Sequence, residues 1–343
     1  MTTIPLRPPF DPEIEAAITA LGNEVVTALA PEGIDELRRR VPPPDLAALT
    51  HGGTFDVSVH RVPVAWDMTE ATLVLVRPAA STGPVAVVYH LHGGGLVAGS
   101  AYEDLPWLLE LAAQAGTAVA AVEYRLAPEW PFPAAVEDGY AGLVWLAEHG
   151  AEHGVDPARI VVSGVSAGGG LAAATALLAR DRGGPHLVGQ LLITPMLDDR
   201  NDSASAAQMA GVGSWDRTAN ATGWWAYLGD RAGGPAVPGH AAPARVEDLG
   251  GLPPTFVDVG SAETFRDEDV AYAERLWRCG GDAELHVWPG GCHGFDLLAP
   301  EAMLSRDARA ARVRWLTRVL ARAADRRPSP DSTVSAVVSV STP

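Results

Sequence analysis

The chain is poor in cysteine and in positive charge, and it has no long apolar run. Its two cysteines, Cys279 and Cys292, build no disulfide framework and fit a reducing compartment. Cys292 adjoins His293 but belongs to no C-x-x-C or other ligand spacing, so no metal is expected and Cys292 is read as structural. Lysine plus arginine number 25 against 42 acidic residues, a formal charge of −17. That balance argues against nucleic acid and against an anionic membrane surface as partners. No stretch approaches the roughly 18 uninterrupted apolar residues of a membrane span. At the N-terminus, Pro5, Pro8, Pro9, Asp11 and Glu13 interrupt any basic-then-apolar export signal, and a cytoplasmic location is expected.

What is present suffices for a sizeable core. Hydrophobic residues make up 47% of 343, enough for one large α/β domain with insertions or for two small domains. Residues 11–40 read as helical, with Ile14, Ile18, Leu21, Val25 and Leu29 recurring at three- and four-residue steps before a break at Pro42-Pro43-Pro44. Two β-rich runs, 54–64 and 71–77, follow with no long helix between them and predict an antiparallel pair. From Val85 the pattern alternates. Strands are predicted at 85–91, 117–123, 159–163, 188–194, 254–260 and 284–288, and helices near 104–115, 133–149, 167–180, 266–280 and 302–325. This predicts a mostly parallel sheet covered by helices on both faces. Between Pro195 and Leu252 no strand is read, but Trp215, Trp224 and Trp225 favour an ordered lid over a plain loop. The Ser/Pro/Val-rich tail from Arg327 has no helical period and is expected to be mobile.

Two glycine-rich motifs sit after predicted strands. Gly164-Val165-Ser166-Ala167-Gly168 follows the run 159–163 and precedes a helical segment. A G-x-S-x-G between strand and helix forces its serine onto a tight turn with the hydroxyl exposed at the C-terminal edge of the sheet. His92-Gly93-Gly94-Gly95 follows the strand 85–91 and can present unencumbered N–H groups to a developing oxyanion. Either motif alone turns up in ordinary loops. Both in this order, each after a β-rich run, predict a nucleophile and its charge stabilisation.

A serine hydroxyl needs a base, and the base needs a third group to orient it. Of ten histidines, His92 belongs to the glycine loop and is expected to hold its shape. His90 and His286 alternate with apolar residues inside strands, His149 and His153 sit at a helix end and loop, and His51, His60, His186 and His240 have no companion motif. His293, in Gly290-Gly291-Cys292-His293-Gly294-Phe295, follows the last predicted strand and is the expected base. For the acid, Asp258 lies inside the strand 254–260, Glu263 directly after it, and Asp267, Glu268 and Asp269 at the start of the next helix. All obey the order nucleophile, acid, histidine. Glu263 is favoured, because acids at 267–269 are equally well explained as first-turn partners of the helix dipole. In Tyr124-Arg125-Leu126-Ala127-Pro128-Glu129, Arg125 and Glu129 are expected to form a buried ion pair that anchors the loop.

Together, His92–Gly95, Tyr124–Glu129, Gly164–Gly168 and His293-Gly294-Phe295 resemble the hormone-sensitive-lipase-like carboxylesterases, family IV of the α/β-hydrolase superfamily, over roughly residues 55–320. The resemblance implies an α/β-hydrolase fold, with an N-terminal helical cap segment at 1–50 and a catalytic domain at 51–326 that carries a cap insertion at about 196–250. It implies a serine carboxylic-ester hydrolase acting on small to medium esters without a cofactor. The oxyanion would be held by Gly94, Gly95 and Ala167. The family's acid is usually the first aspartate of a D-x-L-x-D-E run, which aligns with Glu263–Glu268, so the acid here is glutamate. Because such a cap covers the nucleophile, Trp215 and Trp224, with Leu96 and Val97 beside the glycine loop, are the expected substrate pocket. The expected partner is a small-molecule ester, and a homo-oligomer is left open. An acyltransferase, an amidase or a lactone hydrolase would use the same residues. A non-catalytic binding protein is disfavoured, because serine and histidine are both kept.

Overall fold

The computed structural model describes residues 6–43 and 45–325. Pro44 and the expected mobile tail, 327–343, lie outside the described residues. Eight strands form one sheet: β1 (Phe55–Val64), β2 (Thr69–Pro78), β3 (Val85–Leu91), β4 (Ala118–Glu123), β5 (Val155–Val165), β6 (Gly189–Ile193), β7 (Thr255–Gly260) and β8 (Ala283–Trp288). Their order across the sheet is β1-β2-β4-β3-β5-β6-β7-β8. β1 pairs antiparallel with β2 and β2 antiparallel with β4, and every other neighbouring pair is parallel.

The helices are α1 (Pro12–Leu21), α2 (Ile34–Arg39), α3 (Leu46–Leu49), α4 (Ala101–Ala115), α5 (Ala134–His149), α6 (Ala167–Asp181), α7 (Ala204–Gln208), α8 (Arg217–Leu228), α9 (Arg266–Arg278), α10 (Phe295–Leu298) and α11 (Met303–Asp325). Strand alternation sorts the core into two layers. Val87, Tyr89 and Leu91 of β3 pack with residues of α5, α6 and α9, whereas Ala86 and Val88 face Leu111 of α4 and Trp315 of α11. Both faces of the central parallel strands are thereby covered, which is why most of their residues are apolar and buried.

The stretch 11–40 is not one helix. Gly22 ends α1 at φ 53°, a 3-10 turn follows at Gly22–Glu24, and helical shape resumes from Pro31. Between them, Val25–Leu29 is drawn out to pair with the insertion after β6. Trp215 and Asp216 donate their N–H groups to Val26 and Thr27 carbonyls, both at 2.7 Å. Thr27 donates its hydroxyl to Gly213 O and Thr222 to Leu29 O. The apolar spacing that reads as a helix serves this long-range contact instead. The segment 195–252 carries α7, α8 and short 3-10 turns, and no strand.

Arg125 and Glu129 do not pair. Arg125 reaches Asp138 on α5 through two nitrogens and Asp67 through a third, because those carboxylates converge on it from other elements. Glu129 takes both terminal nitrogens of Arg38, each at 2.7 Å. That hydrogen-bonded guanidinium holds the Glu129 carboxyl down to about 2. Arg38 also donates to Val97 O and Ala127 O, tying α2 to the glycine loop.

Arg312 fixes the last third of the fold. It is buried on α11 and donates to Asp258 of β7 at 2.9 Å and Asp296 of α10 at 2.5 Å. Removing one partner from a buried ionic cluster strands the other charges. Arg312→Met is therefore expected to lower stability by about 3–5 kcal/mol in urea unfolding. A loss below about 1 kcal/mol, ordinary for a surface change, would show that the cluster contributes little.

Candidate active site

The parallel register brings the motifs together. Leu91 of β3 lies opposite Gly164 of β5, and Val165 opposite Ile193 of β6, so the loops leaving these strands share one edge. At the end of β5, Ser166 adopts φ 57° and ψ −123°, a left-handed turn rare for a residue with a side chain. A Cβ on Gly164 would stand 2.0 Å from Gly168 O, and one on Gly168 would stand 2.0 Å from Leu91 O. Glycine at both positions is thus a steric requirement of the turn. Ser166 opens α6, and its N–H is held by Ile193 O at 2.9 Å.

The loops after β7 and β8 are locked backbone to backbone. Ser261 N–H donates to Trp288 O, Ala262 N–H to Gly291 O, and Gly290 N–H to the Ser261 hydroxyl. The lock places His293 and Glu263 side by side. His293 Nε2 lies 2.9 Å from Ser166 Oγ, and His293 Nδ1 lies 2.6 Å from Glu263 Oε1. Glu263 Oε2 accepts the Gly260 N–H at 3.0 Å, and Oε1 also accepts the Thr194 hydroxyl. All three side chains are buried or nearly so, and the Phe265 ring meets the imidazole edge-on. With the carboxylate accepting from Nδ1–H, Nε2 is left as an acceptor facing the serine hydroxyl.

None of the competing acids contacts His293. Asp258 binds Arg312 and the Trp288 indole, and Asp267 accepts from Ser205 N–H and Arg266. Glu268 accepts from the Leu197 and Asp198 N–H groups, and neither Asp269 oxygen has a partner. Burial pushes the carboxyls of Glu268 and Asp269 well above the usual carboxylate range. Burial likewise pushes the Cys292 thiol up to about 12, so it supplies no thiolate at neutral pH.

The glycine loop packs directly on the serine turn. A Cβ on Gly93 would stand 3.7 Å from Ser166 Cβ. Among the described residues, the N–H groups of Gly94, Gly95 and Ala167 have no hydrogen-bond partner. His92 anchors the loop: its Nδ1–H donates to Gly93 O, its ring stacks on Tyr124 at 4.0 Å, and Tyr124 donates to His92 O. Burial holds this imidazole below its ordinary value, which favours the neutral form.

A cavity of about 460 Å³ opens on Ser166 and His293, lined also by Gly93, Gly94, Gly95, Val165, Trp107, Trp215, Leu297 and Leu298, with Val26, Leu37 and Arg40 from the N-terminal segment. Trp215 lies against Gly95 so closely that a Cβ there would stand 2.1 Å from its ring. Leu96, Val97 and Trp224 do not line this cavity. The loop turns back on itself, with Val97 and Ala98 N–H groups donating to Gly94 O, and this sends Leu96 and Val97 into the main core, where Trp224 also packs. Trp107, Leu297 and Leu298 line it instead, and no sequence motif singles them out. A larger cavity of about 720 Å³ lies at the opposite edge of the sheet, near Val188 and Pro254, far from these groups. No group of three His, Cys, Asp or Glu among the described residues is placed to hold a metal ion, and no described helix is long and apolar enough to cross a membrane.

Comparison with known proteins shows the family and the fold. A family model described as the α/β-hydrolase fold matches residues 88–297. The carboxylesterase NlhH of Mycobacterium tuberculosis is 34% identical over 306 residues, spanning 86% of this chain and 92% of the relative. The esterase LipI of the same organism is 36% identical over 253 residues, 73% of this chain and 74% of LipI. Among solved structures, a bacterial heroin esterase superposes with a TM-score of 0.81 at 36% identity, covering 93% of this chain and 99% of its own. A thermostable esterase from Pseudomonas putida ECU1011 gives 0.80 at 29% identity, with 91% and 98% covered. The chain belongs to the α/β-hydrolase family, in its hormone-sensitive-lipase-like carboxylesterase group.

Proposed function

We propose that the chain hydrolyses small to medium carboxylic esters through an acyl-enzyme on Ser166. The observation that carries this reading is the hydrogen-bonded series Ser166–His293–Glu263 at the mouth of the 460 Å³ cavity. Ser166 Oγ attacks the ester carbonyl while His293 Nε2 takes its proton. The carbonyl oxygen gains the negative charge and is met by the free N–H groups of Gly94, Gly95 and Ala167. His293 then returns the proton to the departing alkoxide, and the acyl group stays on Ser166. Water enters, gives a proton to the same imidazole and attacks the acyl carbon; as the acid leaves, the imidazolium returns that proton to Ser166 Oγ and restores the serine. Glu263 holds the ring tautomer and stabilises the imidazolium formed in each step.

Kinship with carboxylesterases supports hydrolysis over acyl transfer, amide cleavage or lactone opening. Both cysteines are free, which supports the reading of a reducing, cytoplasmic setting.

Ser166→Ala is expected to lower turnover of p-nitrophenyl butyrate by on the order of 10⁴–10⁶-fold with the fold intact, and His293→Ala to match it, because the members act as a unit. Retention of more than about a tenth of the rate, under 1.4 kcal/mol of barrier, would remove Ser166 as the nucleophile. Glu263→Gln keeps shape but cannot stabilise imidazolium, and is expected to cost roughly 10⁴-fold in turnover. Asp267→Asn is expected to stay close to the parent. The reverse ranking would move the acid to Asp267. Across p-nitrophenyl esters of graded length, kcat/KM is expected to fall from butyrate to palmitate, because the indoles of Trp107 and Trp215 stand in the cavity wall. A rise along the series would show a lipid groove.

A further inference from the structure

Thr194 brings a side chain into this hydrogen-bonded cluster although no motif contains it. It follows directly on β6, is buried, and sits at φ 45°, which is a genuine outlier for a β-branched residue. Its N–H donates to Asp258 O at 2.7 Å, which pins the strained backbone to β7. From there its hydroxyl donates to Glu263 Oε1, the same oxygen that accepts from His293 Nδ1, and lies 3.3 Å from Nδ1 itself. A non-glycine residue held in a sparsely populated conformation points to a functional constraint at that position.

The acid itself gives the reason for such a constraint. Glutamate has one more rotatable bond than the aspartate usual in this family, so its carboxylate has more orientations to lose. Gly260 N–H takes Oε2 at 3.0 Å and the Thr194 hydroxyl takes Oε1, one donor on each side. The two neighbouring carboxyls lack this cradle: Glu268 accepts two backbone N–H groups on one oxygen, and neither Asp269 oxygen has a hydrogen-bond donor. We propose that Thr194 is a positioning residue for ester hydrolysis, whose hydroxyl fixes Glu263 in the one orientation that reaches His293 Nδ1. This rests on the reading of Glu263 as the acid of the series.

The test compares Thr194→Val, which keeps shape and loses the hydroxyl, with Thr194→Ser, which keeps the hydroxyl, in p-nitrophenyl butyrate kinetics with thermal unfolding of each protein. Thr194→Val is expected to lower kcat about 10–100-fold with KM changed less than about twofold, because a hydrogen bond to a charged group is lost only from the reacting machinery. Thr194→Ser is expected to stay within about threefold of the parent kcat. In a Glu263→Gln background the Thr194→Val change is expected to add almost nothing, as the two act through one carboxylate. Should Thr194→Val fail to fold, Thr194→Ala makes the same comparison with less crowding. A folded Thr194→Val or Thr194→Ala with kcat near the parent overturns the proposal, as does a Thr194→Ser as slow as Thr194→Val. A Glu263→Gln protein near the parent rate would instead overturn the assignment of the acid, which separates the two failures.

Discussion

One imidazole has to touch a serine on one strand end and a carboxylate on another, and the rest of the molecule is arranged around that bridge. Its two hydrogen bonds are 2.9 and 2.6 Å long, so an error of a single ångström in either loop would break the series. The parallel sheet meets this demand because β5 and β6 end level with one another, β7 runs two residues further, and β8 pairs along the outer side of β7. Ser166, Thr194, Glu263 and His293 are the first residues free to leave that edge or close followers of them. The lock between the loops after β7 and β8 then holds Glu263 and His293 together as one unit.

Around the bridge, polar groups are handled in two ways. Some are paired and buried, as Arg312 is with Asp258 and Asp296 beneath the acid loop. Others are pushed toward the neutral form by burial, as with Glu268, Asp269 and the His92 imidazole. The proposed acid thus sits among neighbours that burial pushes toward the uncharged state, and the Gly260 N–H and the Thr194 hydroxyl each hold one of its oxygens. On the other side, the N-terminal segment and the insertion after β6 pair through Val26, Thr27 and Leu29. Arg38 then clamps that segment onto Val97 and Ala127. Segment, insertion and glycine loop therefore form one wall of the cavity, and a shift in α2 would be felt at Gly94 and Gly95.

The strand–helix alternation and both glycine motifs were legible because they are local: apolar runs of strand length, and glycines forced by contacts within a few residues. Glu263 was legible only through its place after a strand and its alignment with a family motif. What escaped reading is long-range. Val25–Leu29 has helical apolar spacing yet pairs with a segment nearly two hundred residues away. Arg125 and Glu129 are close in sequence, but their partners come from Asp67, Asp138 and Arg38. Thr194 looks like the end of an apolar strand, and nothing in its neighbours announces a positive φ. The cavity wall was misjudged at Leu96, Val97 and Trp224, because the turn at Gly94 reverses which way the following side chains face.

The most direct test of the account is where a covalent probe lands. The purified protein would be treated with a fluorophosphonate, digested, and mapped by peptide mass spectrometry. The account predicts a single stoichiometric adduct on Ser166, formed at a rate that falls when Glu263 is replaced by glutamine. An esterase-active protein that stays unlabelled, or one that carries the adduct on another residue, would contradict it.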